Sequence, residues 1–357
     1  MHEVSDANSG VTVLVLSDPG QCTARSQAVA ERFEEELTRV YGAATVHVRA
    51  QFLAISDANT LEFGTITSMR EDYDGIDAVL ILTEMPRRSH GKPEIAKIFP
   101  EESAAALSYP TLGVLAGKRR LVSLFMSCVL RLVDGAPSGS RERYELRGNR
   151  WLEPSGGEPG FLLAHSITGV PRTVLGLVAS NAPWRTAPQL STALAAAAAA
   201  GAFGVFYNSI WQMSAALSTG RLLMIGLLAV GLMVLWLLKS NGLWERAERA
   251  GPTEVFVYYN LSTVVTLFLV VLGLYLTLFV VILGASLVVI DPGFMAEIMG
   301  GPVGFTNYVD NAWLSAAMGV VAGGLGTSFD ERTDIRHLTH GRREVQRRPD
   351  PEPPPGR

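Results

Sequence analysis

Four strongly apolar stretches, roughly 190–210, 221–239, 255–290 and 309–329, constrain this chain more than any other feature of its sequence. A bilayer core needs about 20 apolar residues per spanning helix. None of the four stretches carries an ionised side chain in its middle. They predict a four-helix transmembrane bundle, and hence an integral membrane protein whose first partner is the lipid bilayer. The first stretch is alanine-rich, and the fourth carries Gly319 and Gly323 at the spacing that lets helix backbones approach closely. That pair has two uses: a homo-oligomer formed through transmembrane helices, or tight packing inside one bundle.

The chain has 357 residues, room for two domains, and its mean hydropathy of +0.23 averages two unlike halves. The divisions expected are a cytoplasmic α/β domain over 1–167, an amphipathic or interfacial connector over 168–189, the membrane helices over 190–329 and a disordered cytoplasmic tail over 330–357. A net charge of −4 gives no reason to expect nucleic acid. Cys22 and Cys128 are too few for a disulfide framework or a metal cluster. Residues 1–10 are polar and acidic, so no secretory leader is expected there.

In the N-terminal half, β-branched or apolar runs at 11–18, 45–54, 77–83, 110–116 and 161–167 predict strands. Helical patterns at 23–41 and 118–133, and a polar, helix-compatible piece at 60–73, lie between them. Alternating strands and helices predict an open, mostly parallel sheet with helices on both faces. Pro171–Ser180 reads as a further helix beginning at its proline, lying on the sheet domain or on the bilayer surface.

Open α/β sheets bind ligands beyond the carboxyl ends of their strands. That edge collects Ser17, Asp18, Gly20, Thr83, Glu84, Arg87 and Arg88. The segment TEMPRRSHGKP reads as a polar loop whose paired arginines suit a phosphate or carboxylate. The expected ligand-binding set is therefore Asp18, Gly20, Thr83, Glu84, Arg87 and Arg88, holding a small anionic ligand; the plainer reading is a solvated basic loop or an anionic headgroup contact. The turn after the first strand lacks the Gly-x-Gly-x-x-Gly spacing, and no phosphate-loop motif occurs. No cofactor or metal is expected, and no catalytic residue is assigned. Cys22 falls near a helix start, where a thiolate is favoured, but with no paired histidine a reactive role is not the expected one; His47, His90 and His165 lack metal-ligand spacing and read as structural or surface residues.

Basic residues set the expected orientation. They precede the first apolar stretch (Arg172, Arg185), follow the second (Lys239, Arg246, Arg249) and crowd the tail, whereas 291–310 holds none. This predicts a multi-pass protein of the plasma membrane with both termini cytoplasmic. The third stretch reads as one long or tilted helix, since no turn signal divides it.

The runs AAAAAAGAFGVFYNSIW, RLLMIGLLAVGLMVLWLLKSNGLWER and GPVGFTNYVDNAWLSAAMGVVAGGLG, with NAPWR and LTEMPRR upstream, resemble an actinobacterial family of uncharacterised four-span membrane proteins. Members often carry an automatic label, 5,10-methylenetetrahydrofolate dehydrogenase. The resemblance implies architecture; without a dinucleotide fingerprint the labelled activity is not carried over. Two functions fit: a non-catalytic sensing, binding or scaffold protein with a cytoplasmic α/β domain, or an enzyme acting on a small or lipid-linked substrate. Few polar groups line the spans, which weighs against a channel or carrier.

Overall fold

The structure, a computed structural model, describes residues 10–51, 75–114, 116–153, 159–181, 191–244 and 256–327. These fall into two compact units. The first holds the residues up to Ser180 and the opening turn of a later helix, up to Tyr259; the second runs from Asn181 and resumes at Asn260. The expected helix at 60–73 lies outside the described residues.

The first unit is built on an eight-stranded sheet in the order β2-β1-β3-β6-β5-β8-β7, with β4 paired to β5. The strands are β1 (Val11–Ser17), β2 (Ala44–Ala50), β3 (Ala78–Thr83), β4 (Arg87–Ser89), β5 (Lys92–Phe99), β6 (Ala104–Ser108), β7 (Arg150–Leu152) and β8 (Gly160–Leu163). Only β2, β1, β3 and β6 pair in parallel; every pairing made by β4, β5, β7 and β8 is antiparallel. The sheet is therefore mixed, which corrects the mostly parallel expectation. The cause is the segment TEMPRRSHGKP, which is a hairpin and not a loop. His90 and Gly91 both take positive φ, 53° and 69°, as a tight two-residue hairpin turn requires. The hairpin turns β5 back against β6.

The 110–116 strand is also corrected. Tyr109–Leu112 is one helical turn ended by Gly113, and the strand is the preceding alanine-rich run. Alanine has little β-propensity, so only burial between β3 and β5 makes this segment a strand.

Helices α1 (Gln21–Tyr41) and α2 (Lys118–Leu132) lie together on one face of the sheet. Their apolar stripes meet there: Val29, Phe33 and Leu37 from α1, and Leu121, Phe125 and Val129 from α2, with the Phe33 and Phe125 rings edge to face at 5.2 Å. Leu14, Leu16, Val79 and Ile81 are buried on the other face. Arg131 of α2 is buried against the Trp151 ring and donates to both Glu153 carboxylate oxygens, fastening β7 to the helix.

Helix α3 (Ser166–Asn181) starts five residues before Pro171, which is a correction: the proline sits inside the helix. Val174, Leu177 and Val178 of this helix are buried, and of the two placements open from sequence the sheet domain is met by Arg172, which donates to the Thr111 carbonyl, and by Gly176. Gly176 makes that docking possible, because a Cβ there would lie 2.1 Å from the Pro110 carbonyl oxygen.

The second unit contains α4 (Ser191–Gly201), α5 (Asn208–Ala216), α6 (Thr219–Ser240), most of α7 (Phe256–Val289), α8 (Pro292–Met299) and α9 (Phe305–Thr327). Two described helices, α6 and α7, are long and apolar enough to cross a membrane, and a third crossing arises if the bent pair Leu194–Phe206 and Asn208–Ala216 is one span. Both long helices expose apolar side chains on their outer faces, Leu227, Leu228 and Leu235 on α6 and Leu269, Leu276 and Val280 on α7. A water-facing surface of this kind would be polar. The third stretch is one unbroken helix, α7.

The first and fourth stretches differ from expectation. The first is bent by 84°. At the break Tyr207 is extended, and the Gly204 carbonyl accepts from Asn311 Nδ2 and Trp211 Nε1, each at 2.8 Å. The fourth, α9, has the length of a span but is not apolar enough by composition to count as one. It is nevertheless the hub of its unit. The Tyr275 hydroxyl donates to the Trp313 carbonyl, Trp313 Nε1 donates to the Leu222 carbonyl, and the Tyr308 hydroxyl donates to the Ile290 carbonyl.

Candidate functional site

The chain leaves β1 through α1 to reach β2 on one side, then returns to β3 on the other. The two strands part company in sequence at this point, and the crevice between their carboxyl ends is where sheets of this type take ligands. Here the crevice is spanned by Asp18. Its N–H donates to the Leu82 carbonyl at 3.0 Å, and its Oδ2 accepts from Thr83 Oγ1 and from the Glu84 N–H, both at 2.7 Å. Thr83 Oγ1 in turn accepts from the Met85 N–H, and Ser108 Oγ donates to the Met85 carbonyl. Asp18 thus faces the β1–β3 seam and ties the ends of three strands, with Thr83 and Ser108 as fasteners.

Gly20 stands at the N-terminus of α1 with φ 108°, a value that side-chain-bearing residues rarely adopt. Glu84 Oε1 lies near it, 3.9 Å from where a Cβ would be. Asp18 and Glu84 are 4% and 2% exposed, so this edge holds two buried carboxylates beside the positive end of a helix, which favours negative charge. Tyr109 joins them. Burial raises its pKa, with Cys22 and Glu84 adding to the shift and Arg25 opposing it, which places all four groups in one electrostatic neighbourhood.

Arg87 and Arg88 do not form a two-arginine clamp. They are consecutive residues of β4, so their side chains leave opposite faces. Arg88 is exposed and its guanidinium donates to the Gly91 carbonyl of its own turn. Arg87 is paired in register with the buried Glu94. Burial is the main cause lowering the Arg87 pKa, and Glu94, Tyr259 and Asp18 oppose it. Among the described residues the Arg87 guanidinium has no hydrogen-bond or ion-pair partner. One Glu94 oxygen accepts from Ser89 Oγ; the other is buried without a partner among the described residues. Lys97, on the same strand as Glu94, has its pKa lowered chiefly by burial and also by Arg87.

The structure therefore gathers Asp18, Gly20, Thr83 and Glu84 at one edge, leaves Arg87 within their electrostatic reach, and turns Arg88 away. Sequence reasoning missed Ser108, Tyr109 and Glu94, because the strands that carry them, or end beside them, were not recognised. Cys22 is fully buried, which denies its thiol access to a substrate. His47 lies on β2, His90 in the hairpin turn and His165 before α3, and among the described residues no group of three or more metal-ligating side chains forms. Ser17 pairs with Ser26 and Ser108 with Thr111; among the described hydroxyls at this edge that of Thr83 alone donates to a carboxylate, that of Asp18, whose same oxygen also accepts from the Glu84 N–H.

No family profile, no curated protein and no solved structure matches this chain. The resemblance to the actinobacterial membrane family accordingly rests on its motifs alone.

Proposed function

We propose that this chain is a multi-pass plasma-membrane protein whose cytoplasmic α/β unit binds, without chemical conversion, a small ligand carrying an anionic group. One observation carries the ligand reading: the Arg87 guanidinium, shielded by protein, with no partner among the described residues. A cation withdrawn from water is costly unless an anion meets it, and Asp18 is already directed at Thr83 and Glu84. A phosphate or carboxylate fits a guanidinium fork. The enzyme reading stands second, because the one described hydroxyl at this edge paired with a carboxylate, Thr83 with Asp18, is buried and tied into the backbone of the seam. The test is affinity capture with the purified whole protein, followed by mass spectrometry of retained metabolites. Wild type and Arg88→Ala should retain the same compound and Arg87→Ala should lose it. An unchanged profile for Arg87→Ala would overturn the assignment.

The membrane reading is four crossings with both termini cytoplasmic. The arginine asymmetry supports it, as does the contact pattern of α9. Gly319 packs on Ala197 of α4 and Leu278 of α7, while residues nearer the start of α9, Asn311 and Tyr308, reach Gly204 and Ile290. Helix α9 thus runs antiparallel to both α4 and α7, as alternating crossings require. In intact cells an impermeant thiol reagent should label Gly301→Cys and spare Thr339→Cys; the reverse pattern would sink the topology.

A further inference from the structure

Helix α3 is apolar on the side it buries and also on part of the side it does not. Ile167 (78% exposed), Pro171 and Leu175 (50% exposed) recur every fourth residue, which puts them in one outward stripe. Val114, 53% exposed, lies in the loop beside them, where Gly113 is packed against the Arg172 side chain. Arg172, next to the stripe, lies within electrostatic reach of Arg120, which opens α2 together with Lys118 and Arg119, and bonds to Asn149, which Arg147 and Arg150 flank in sequence. Arg172 brings the three segments together: its Nε donates to the Thr111 carbonyl at 2.9 Å and its Nη2 to Asn149 Oδ1 at 3.3 Å. Residues 111–120, 146–152 and 166–177 contain no Asp or Glu. Burial, and then the like charge of Arg120, lower the Arg172 pKa. Arg120 has no ion pair among the described residues.

We propose that this stripe and its cationic surround form a docking surface for an anionic phospholipid leaflet, on which the N-terminal unit rests. The chemistry has both parts that interfacial binding needs, an apolar strip to enter the headgroup boundary and cations to meet lipid phosphates. An acidic protein would match the cations but gives no reason for an apolar stripe bordered by them. The lipid is also near by connectivity: α3 ends at Asn181 and the first apolar helix starts at Ser191, an interval that spans at most roughly 35 Å extended. The inference rests on the membrane-spanning helices and is independent of the Arg87 ligand.

The test uses the full chain carrying Leu175→Cys, reconstituted in nanodiscs of phosphatidylcholine alone or mixed with phosphatidylglycerol. Cys22 and Cys128 are buried, so a bulky maleimide reads the new thiol. Labelling should slow about fivefold or more in the anionic discs and recover when salt is raised, as expected of cations near a charged leaflet. A control thiol at Glu101→Cys should react alike in both. Substituting Lys118, Arg119 and Arg120 together by serine should abolish the slowing; the first two are exposed and the third half-buried, and an unchanged melting profile shows that the fold survives. Equal rates in both lipids, slowing that persists in the triple variant, or protection in every lipid and in detergent would overturn the proposal, the last by pointing to a protein cover. A chain that does not stay with the discs would instead refute the spanning helices.

Discussion

Gly319→Val is expected to unfold the membrane unit at far milder conditions than wild type, at a cost of about 3 kcal/mol or more. A Cβ at 319 would lie 2.5 Å from the Ala197 carbonyl oxygen and 2.6 Å from a Leu278 methyl. The methyl can turn aside, but the carbonyl belongs to the backbone of α4 and moves only with the helix. Since α9 joins α4 to α7, separating one pair loosens both. Nothing lies within 4 Å of a Cβ at Gly231 on α6, so Gly231→Val should change stability by less than about 0.5 kcal/mol. Thermal unfolding of both variants in one detergent checks the contrast. Equal melting temperatures would mean that α9 does not pack on α4 as described. The result also bears on the Gly319–Gly323 motif, whose first glycine is spent on contacts within the chain.

Asp18→Ala should be the most damaging single change in the N-terminal unit. It removes the acceptor of the Thr83 hydroxyl and strands the buried Glu84 N–H. Hydrogen bonds to a charged group contribute roughly 1.5–3 kcal/mol each, and an unmet buried donor adds its desolvation cost, so a loss of about 3 kcal/mol is expected. Asp18→Asn keeps an acceptor oxygen in the same place and should lose about 1 kcal/mol. Urea unfolding of a fragment covering 1–185 measures both. Its cooperative transition should be indifferent to reductant and chelator, because both described cysteines are free and buried. If Ala and Asn prove equally harmful, the carboxylate charge and not the acceptor geometry holds the seam.

Much of the candidate site was legible because parallel strands announce themselves. VTVLVLSD and DAVLILT are near-continuous apolar runs, as strands covered on both faces must be, and their last polar residues, Asp18, Thr83 and Glu84, necessarily fall at the carboxyl edge. The hairpin was not legible. RRS and KPEIAKIF are short and charged, and they become strands because they pair with each other and because β6 and β8 offer the second of them further hydrogen-bond partners. That pairing decides the fate of the two arginines. As a loop they share a ligand, and as β4 they part to opposite faces.

The membrane half divides along the same line. Composition by itself determined that α6 and α7 are apolar all round, since hydropathy is a sum over residues and needs no partner. It equally determined the arginine asymmetry and the absence of nucleotide-binding motifs. Whether the alanine-rich run stays straight was decided by tertiary structure alone. A helix can break at Tyr207 only if the carbonyl set free at Gly204 finds donors, and those donors, Asn311 and Trp211, arrive from α9 and α5. The place of Arg87 follows the same physics. Its charge is written in the chain, but its shielding and its place beside Glu94 and within reach of Asp18 come from strand pairing, a long-range matter that no local pattern encodes.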